Sequence, residues 1–262
     1  MVFDAKQYWE NRLKAQYDLV GVGDISLSEN YNKWSYKVTR KILKSLLEKY
    51  SANKTNSAVI DIGSGTGFVI DIWKSLNKQV TGIDISATAV AKLQEKYPDQ
   101  KFLELDIGKQ KTTLPADSFS VCTAASVLYH IVDDAALDMA LSNIHYLLEK
   151  EGIFIFSDNF IHHSIFTTQH QRCRTLGEYE TALKKNGFEI IKRVPNYVLM
   201  NEPMDTSGRV YPKVWNVLTG WSRKSSLFDK LIWPALYPVE LLLTSVLKES
   251  PAQEFMICRA IK

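Results

Sequence analysis

From about residue 57 to residue 194 the chain alternates short apolar runs with amphipathic segments, and this rhythm restricts its fold more than any other feature. The runs at 58–62, 79–83, 101–105, 119–125, 152–157 and 188–194 have the length and β-branched content of strands. Between them, Phe68, Val69, Ile72, Trp73 and Leu76 follow helical spacing, as do Leu137, Ala140, Leu141, Ile144, Leu147 and Leu148. Ser86 suits the N-cap of a helix carrying Val90 and Leu93, and Thr175 with Glu178 forms a capping box for a helix that stops at Gly187. Strands this apolar need cover on both faces, and a helix after each strand supplies it. The expectation is a doubly wound, mostly parallel α/β sheet of seven strands, Rossmann-like, with its site at the carboxyl ends of the strands.

Two regions fall outside the rhythm. Residues 1–56 are largely helical in pattern and rich in Tyr and Trp, which suggests an N-terminal helical lid on the α/β core at 57–194. Residues 195–253 hold four prolines between 203 and 238 and many aromatic residues, and residues 254–262 supply the last strand of the core. An insertion of about 60 residues is too long for a plain connection, and such segments are usually functional, here as a substrate cap.

The 262 residues are 45% apolar and 23% charged, which excludes a disordered or collagen-like chain. A net charge of +3 argues against a dedicated nucleic-acid binder. Cys122, Cys173 and Cys258 are far apart and form neither a disulfide framework nor zinc-ligand spacing. No secretory signal stands at the N-terminus, and the apolar stretch at 231–247 is short and interrupted by Pro234, Pro238 and Glu240. A cytoplasmic protein without an integral membrane segment is the expectation.

The chemistry concentrates between the first strand and the helix after it, where Asp61, Gly63, Ser64, Gly65, Thr66, Gly67 and Phe68 follow one another. A dinucleotide fold also begins with a glycine loop, but it wants Gly or Ala where this chain has the bulky Phe68. A phosphate-binding P-loop is excluded because no Gly-Lys-Ser/Thr follows. Asp61, two positions before the first glycine, suits a cationic ligand group better than a phosphate.

The pattern resembles the class I S-adenosylmethionine-dependent methyltransferases. Asp61, Gly63, Gly65 and Gly67 match the family's acidic residue and GxGxG. Asp84 matches the acidic residue ending the second strand, Asp106 the one after the third, and Val127, Leu128, Tyr129 and His130 the run after the fourth. The resemblance covers residues 58–158 and implies S-adenosylmethionine as cofactor. It implies Asp61 beside the ligand's ammonium, the glycines and Ser64 under its methionine part, Asp84 on the ribose diol, and Asp106 with Ile85 and Ile107 around the adenine. Tyr8 and Trp34 belong to aromatic clusters before the first strand, where rings either hold a sulfonium or pack the N-terminal helices. Arg40 is a candidate for the methionine carboxylate.

Methyl transfer from a sulfonium needs alignment and, for a hydroxyl acceptor, a base. His130 after the fourth strand, and His162 and His163 after the fifth, stand in the right places for one. Asp158 with these two histidines makes a weak metal set, because adjacent residues do not share a strand face, and no metal is expected. The aromatic insertion suggests a small apolar or amphipathic acceptor, such as a natural product, with O-methylation ahead of C- or N-methylation. A non-catalytic cofactor-binding regulator and a nicotinamide oxidoreductase are the competing readings. The acceptor's identity and the oligomeric state stay open.

Overall fold

In the computed structural model, which describes residues 3–52, 58–162 and 166–262, the apolar runs become β1 (Val59–Ile62), β2 (Val80–Asp84), β3 (Lys101–Glu104), β4 (Phe119–Ala125) and β5 (Leu148–Asp158). A two-residue pair, β6 (Phe166–Thr167) and β7 (Arg172–Cys173), precedes β8 (Phe188–Pro195) and β9 (Glu254–Ala260). The sheet has seven strands in the order β3-β2-β1-β4-β5-β9-β8. Strands β1 to β5 run parallel, and β9 inserts antiparallel between β5 and β8. The expected sheet is therefore present. Its order reverses between β1 and β4, so the crevice in such folds opens at their carboxyl ends.

The helices are α1 (Ala5–Ala15), α2 (Leu19–Val22), α3 (Glu29–Ser51), α4 (Phe68–Ser75), α5 (Ala87–Lys96), α6 (Asp134–Leu147), α7 (Leu176–Lys185), α8 (Val210–Lys224) and α9 (Ser226–Val246). The caps expected from the sequence are made: Ser86 accepts from the Ala89 N–H, and Thr175 and Glu178 close a capping box. One boundary differs. Strand β5 begins at Leu148 rather than Gly152, because Leu148 leaves helical geometry, pairs with Phe119, and is followed by a bulge before Ile153 meets Val121. The expected boundary between residues 56 and 57 lies outside the described residues.

Each sheet face has its own core. One buries Ile60, Ile62, Phe154 and Phe156 under α6 and α7, and the other buries Val59, Val121 and Ile155 under α3 and α4. Cys122, Cys173 and Cys258 are all free and buried. A third cluster joins α3 to the 195–253 segment through Tyr31, Val38, Tyr197, Met200 and Trp233. Buried Glu240 binds it together by accepting from the backbone N–H groups of Val198, Leu199 and Met200 at 2.6, 2.9 and 3.2 Å. The prolines that interrupt the apolar stretch at 231–247 do not break its helix. Helix α9 runs through Pro234 and Pro238. Pro238 lies on the exposed side, where carbonyls left without an N–H partner can reach water.

Candidate active site

Strand β1 delivers Asp61 into the sheet's interior at 1% exposure. Its Oδ1 accepts from the Thr123 hydroxyl on β4 at 2.6 Å, whereas its buried Oδ2 has no hydrogen-bond partner. Burial pushes this carboxyl up to about 7, with the Asp84 charge adding to the effect and the Thr123 and Ser64 hydroxyls opposing it. Asp84 ends β2 and is oriented by two backbone donors, Ser86 N–H at 2.9 Å and Gly65 N–H at 2.7 Å. Burial raises its pKa, and these N–H groups work against the rise.

The glycines divide their roles. Gly65 has φ +51°, a conformation that costs an ordinary L-residue about 1–2 kcal/mol, and a Cβ there would stand 3.2 Å from Val22 of α2. Gly67, expected under the ligand, instead packs inward as the N-cap of α4, where a Cβ would meet Leu93 and Tyr97 at 2.9 Å. Ser64 also turns inward: its N–H donates to the Ile83 carbonyl and its hydroxyl to that of Asp61. Gly63 is exposed at the switch point, against Val127 from the loop after β4.

The N-terminal segment closes over this loop. The Tyr17 hydroxyl donates to the Gly65 carbonyl at 3.0 Å. Glu10 accepts from the Ser86 hydroxyl, the Thr88 N–H and the Thr88 hydroxyl at 2.6, 3.1 and 2.7 Å, and these bonds pull its carboxyl down to about 2. Arg12 ties α1 to α2 through the carbonyls of Gly21 and Gly23. Two clefts flank the covered loop. One of about 520 Å³ is lined by Thr66, Phe68, Tyr36, Arg40, Lys33 and Lys37 among others. The other, of about 390 Å³, has Ile85, Leu105 and Asp106 in its wall. Ile107 is buried in the core beside it. Trp34 is not brought to the loop: its ring lies 5.4 Å from Tyr237 of α9, while Tyr36 packs on Phe68 at 4.7 Å. Arg40 stands over the same Phe68 ring at 4.9 Å.

At the far side of the switch point, His130 sits on a single 3-10 turn, Leu128–His130, directly after β4. Its Nδ1 lies 2.9 Å from the His170 carbonyl. A carbonyl only accepts, so Nδ1 carries the proton and Nε2 keeps its lone pair in the neutral ring. Burial pushes its pKa down to about 4. Trp9 meets this ring edge-on at 4.9 Å, and Tyr8 stacks on His170 at 5.2 Å, so Tyr8 stands in the His130–His170 cluster.

His162 is committed elsewhere, with Nδ1 at 2.6 Å from Asp205 Oδ2 and its N–H at 2.8 Å from Oδ1. Asp158 takes the Tyr179 hydroxyl and the Asn159 N–H, so it and His162 have separate partners. His163 lies outside the described residues. Sequence reasoning missed Glu10, Arg12, Tyr17, Thr123 and Ser126. Ser126, at φ +59° after β4, was findable only as a polar residue at a strand end. It bonds to Ser157 and Gln253.

A family model described as a methyltransferase domain matches residues 60–156, the span that holds Asp61, Asp84, Asp106 and His130. This segment is a class I S-adenosylmethionine-dependent methyltransferase domain. Nodulation protein S of Azorhizobium caulinodans is 27% identical over 135 residues, 51% of this chain and 64% of that protein. The ubiquinone/menaquinone biosynthesis C-methyltransferase UbiE of Campylobacter jejuni is 28% identical over 129 residues, 47% of this chain and 50% of that one. The chain thus spans between half and two thirds of these relatives' lengths. Magnesium protoporphyrin IX methyltransferase (ChlM) from Synechocystis PCC 6803, solved with bound S-adenosylmethionine, shares the fold with a TM-score of 0.57 at 15% identity over 98% of each chain.

The methyltransferase domain's residues fit that cofactor. The unpaired Oδ2 of Asp61 can accept from an ammonium, and the spare lone pairs of Asp84 can accept from a diol. One consequence is measurable. A cation at Asp61 favours the ionised carboxylate, so binding expels the proton that burial retains below about pH 7. Affinity for S-adenosylhomocysteine is therefore expected to rise roughly tenfold between about pH 6 and pH 7.5 and then level off. Calorimetry in buffers of different ionisation enthalpy would count the released proton. A flat profile would separate Asp61 from the ammonium.

Proposed function

We propose that the chain transfers the methyl group of S-adenosylmethionine to a hydroxyl of a small apolar or amphipathic molecule. The observation that carries this reading is the pairing, across one switch point, of the Asp61–Asp84 cofactor elements with the bare Nε2 of His130. The cofactor supplies an electrophilic methyl group on a good leaving group. Asp61 holds the ammonium, Asp84 the ribose, and Asp106 with Ile85 the adenine. Residues 1–56 act as the lid: Glu10 and Tyr17 fasten it to α5 and to Gly65, which keeps water from the crevice. His130 takes the acceptor's proton, and Tyr8 and Trp9 give the acceptor an aromatic wall.

Residues 195–253 form the substrate cap, and Tyr197, Trp215 and Trp233 give it an apolar inner layer. The quinone and porphyrin named for the relatives above fit an apolar acceptor. C-methylation, named for the quinone relative, is the second reading, since a carbon acceptor also gives up a proton.

Calorimetric titration with S-adenosylhomocysteine, NADH and NADPH comes first, followed by labelled methyl transfer to a panel of phenols, quinols and hydroxylated natural products. Binding of the first ligand alone and a labelled O-methyl product are expected. Binding without turnover on any acceptor would favour a regulatory cofactor-binding protein. A C-methyl product would replace the hydroxyl with a carbon acceptor.

A further inference from the structure

Helices α8 and α9 bury opposite faces to those they expose, and both pack into the third cluster through Trp215, Leu218, Ile232, Trp233 and Leu236. The outward face of α9 carries Leu227, Leu231, Val239, Leu242 and Val246, exposed by 70, 60, 43, 61 and 64%. Their spacing places them on one side of the helix along its whole length, opposite buried Trp233, Glu240 and Thr244. Helix α8 adds Val210, Val217 and Trp221, exposed by 70, 56 and 58%, and Trp221 reaches Phe228 of α9 at 6.1 Å. Monomeric proteins rarely leave so continuous an apolar surface without a partner.

The exposed charges that this segment itself carries from residue 206 to residue 248 have one sign. Arg209, Lys213, Arg223, Lys224, Lys230 and Lys248 are all exposed. From residue 206 to residue 248 the only carboxylates are Asp229 and Glu240, and both are buried. Asp229 is spent on the Ser28 and Ser222 hydroxyls and the Trp233 indole, and Glu240 on three backbone N–H groups. This segment alone exceeds the whole chain's net charge of +3. No helix among the described residues is long and apolar enough to cross a membrane.

We propose that α8 and α9 dock the protein on the surface of an anionic lipid bilayer. The apolar stripe sinks below the headgroups while Lys213, Lys224 and Lys230, their stems lying along it, hold their charges at the phosphate level. Trp221 takes the boundary, where an indole has both an apolar body and a polar N–H. A second copy of the chain is a poorer occupant. A two-fold contact through this face would set the basic fringes of the two copies against each other. The proposal does not depend on methyl transfer.

The test is flotation of the full chain with two kinds of vesicle, pure phosphatidylcholine and phosphatidylcholine with about 30% phosphatidylglycerol. Partitioning is expected to be at least about tenfold greater on the anionic vesicles and to weaken in about 0.5 M salt. Leu231→Glu with Leu242→Glu, two exposed positions, is expected to lower partitioning at least about tenfold while affinity for S-adenosylhomocysteine stays unchanged, which certifies the fold. Lys213→Glu with Lys224→Glu is expected to remove the preference for anionic lipid. No binding to either vesicle would overturn the proposal, as would equal binding by the leucine variant. A concentration-dependent dimer in light scattering that the leucine variant abolishes would also overturn it and assign the face to a second copy.

Discussion

Gly65→Arg is expected to lower affinity for S-adenosylhomocysteine by more than about a hundredfold, or over roughly 2.8 kcal/mol, while the protein stays folded. Three features set this magnitude. The Gly65 N–H orients Asp84 at 2.7 Å, so any shift of this residue moves the proposed ribose acceptor. Its carbonyl takes the Tyr17 hydroxyl, so the N-terminal segment proposed as the lid is fastened at the same residue. An arginine side chain would start 3.2 Å from Val22, in the space between loop and lid, and bring a cation toward the place proposed for an ammonium.

The fold is expected to survive the change at a cost of about 1–2 kcal/mol in backbone strain. A Cβ at Gly65 meets one side chain at 3.2 Å, whereas at Gly63 it would stand 2.4 Å from Val127. Gly65→Ala, which adds the backbone strain without the bulk, separates the two contributions at about 1–2 kcal/mol. Calorimetry and thermal melting check both variants. Unchanged affinity in Gly65→Arg would remove the loop from the cofactor site.

The sheet and its acidic positions were legible because they are local. An apolar run, a turn and a helical stripe occupy consecutive residues; Asp61 interrupts the first run just before its glycines, and Asp84 and Asp106 come where the second and third runs end. The pairings that close the site were not legible. Glu10 meets Ser86 across 76 positions and His130 meets His170 across 40, and no periodicity links such residues. Helical phase decided others. Trp34 and Tyr36 look alike in the sequence, yet two residues on a helix point about 200° apart, and the packing of α3 on α9 turned Tyr36 to the cleft. Gly67 and Ser64 belong to the same motif as Gly65, but the packing of α5 and β2 against the loop drew them inward. The prolines of α9 also carry a local preference that packing overrides. They disfavour a helix locally, but the burial of Trp233 and the bonds of Glu240 to the 198–200 backbone outweigh that preference.

His130→Ala is expected to lower kcat by about a hundredfold or more with the acceptor that turns over, while affinity for S-adenosylhomocysteine changes less than about twofold. The split follows from position. His130 lies after β4, and its contacts are with His170, Trp9 and Tyr129 rather than with the Asp61–Asp84 elements. Its pKa, down to about 4 through burial, keeps it neutral across the physiological range. At saturating S-adenosylmethionine, kcat should therefore show no inflection near pH 6.5, where an ordinary histidine base would titrate, and should fall only toward about pH 4. A weak base is compatible with this chemistry because the proton need leave only as the oxygen–methyl bond forms. The imidazolium produced then keeps the Nδ1–H bond to the His170 carbonyl, which favours a cation. His130→Gln, which can keep a hydrogen bond but cannot take a proton, should be as impaired as the alanine variant. Activity retained in glutamine but lost in alanine would make His130 a positioning residue, and full activity in both would assign the proton to another acceptor.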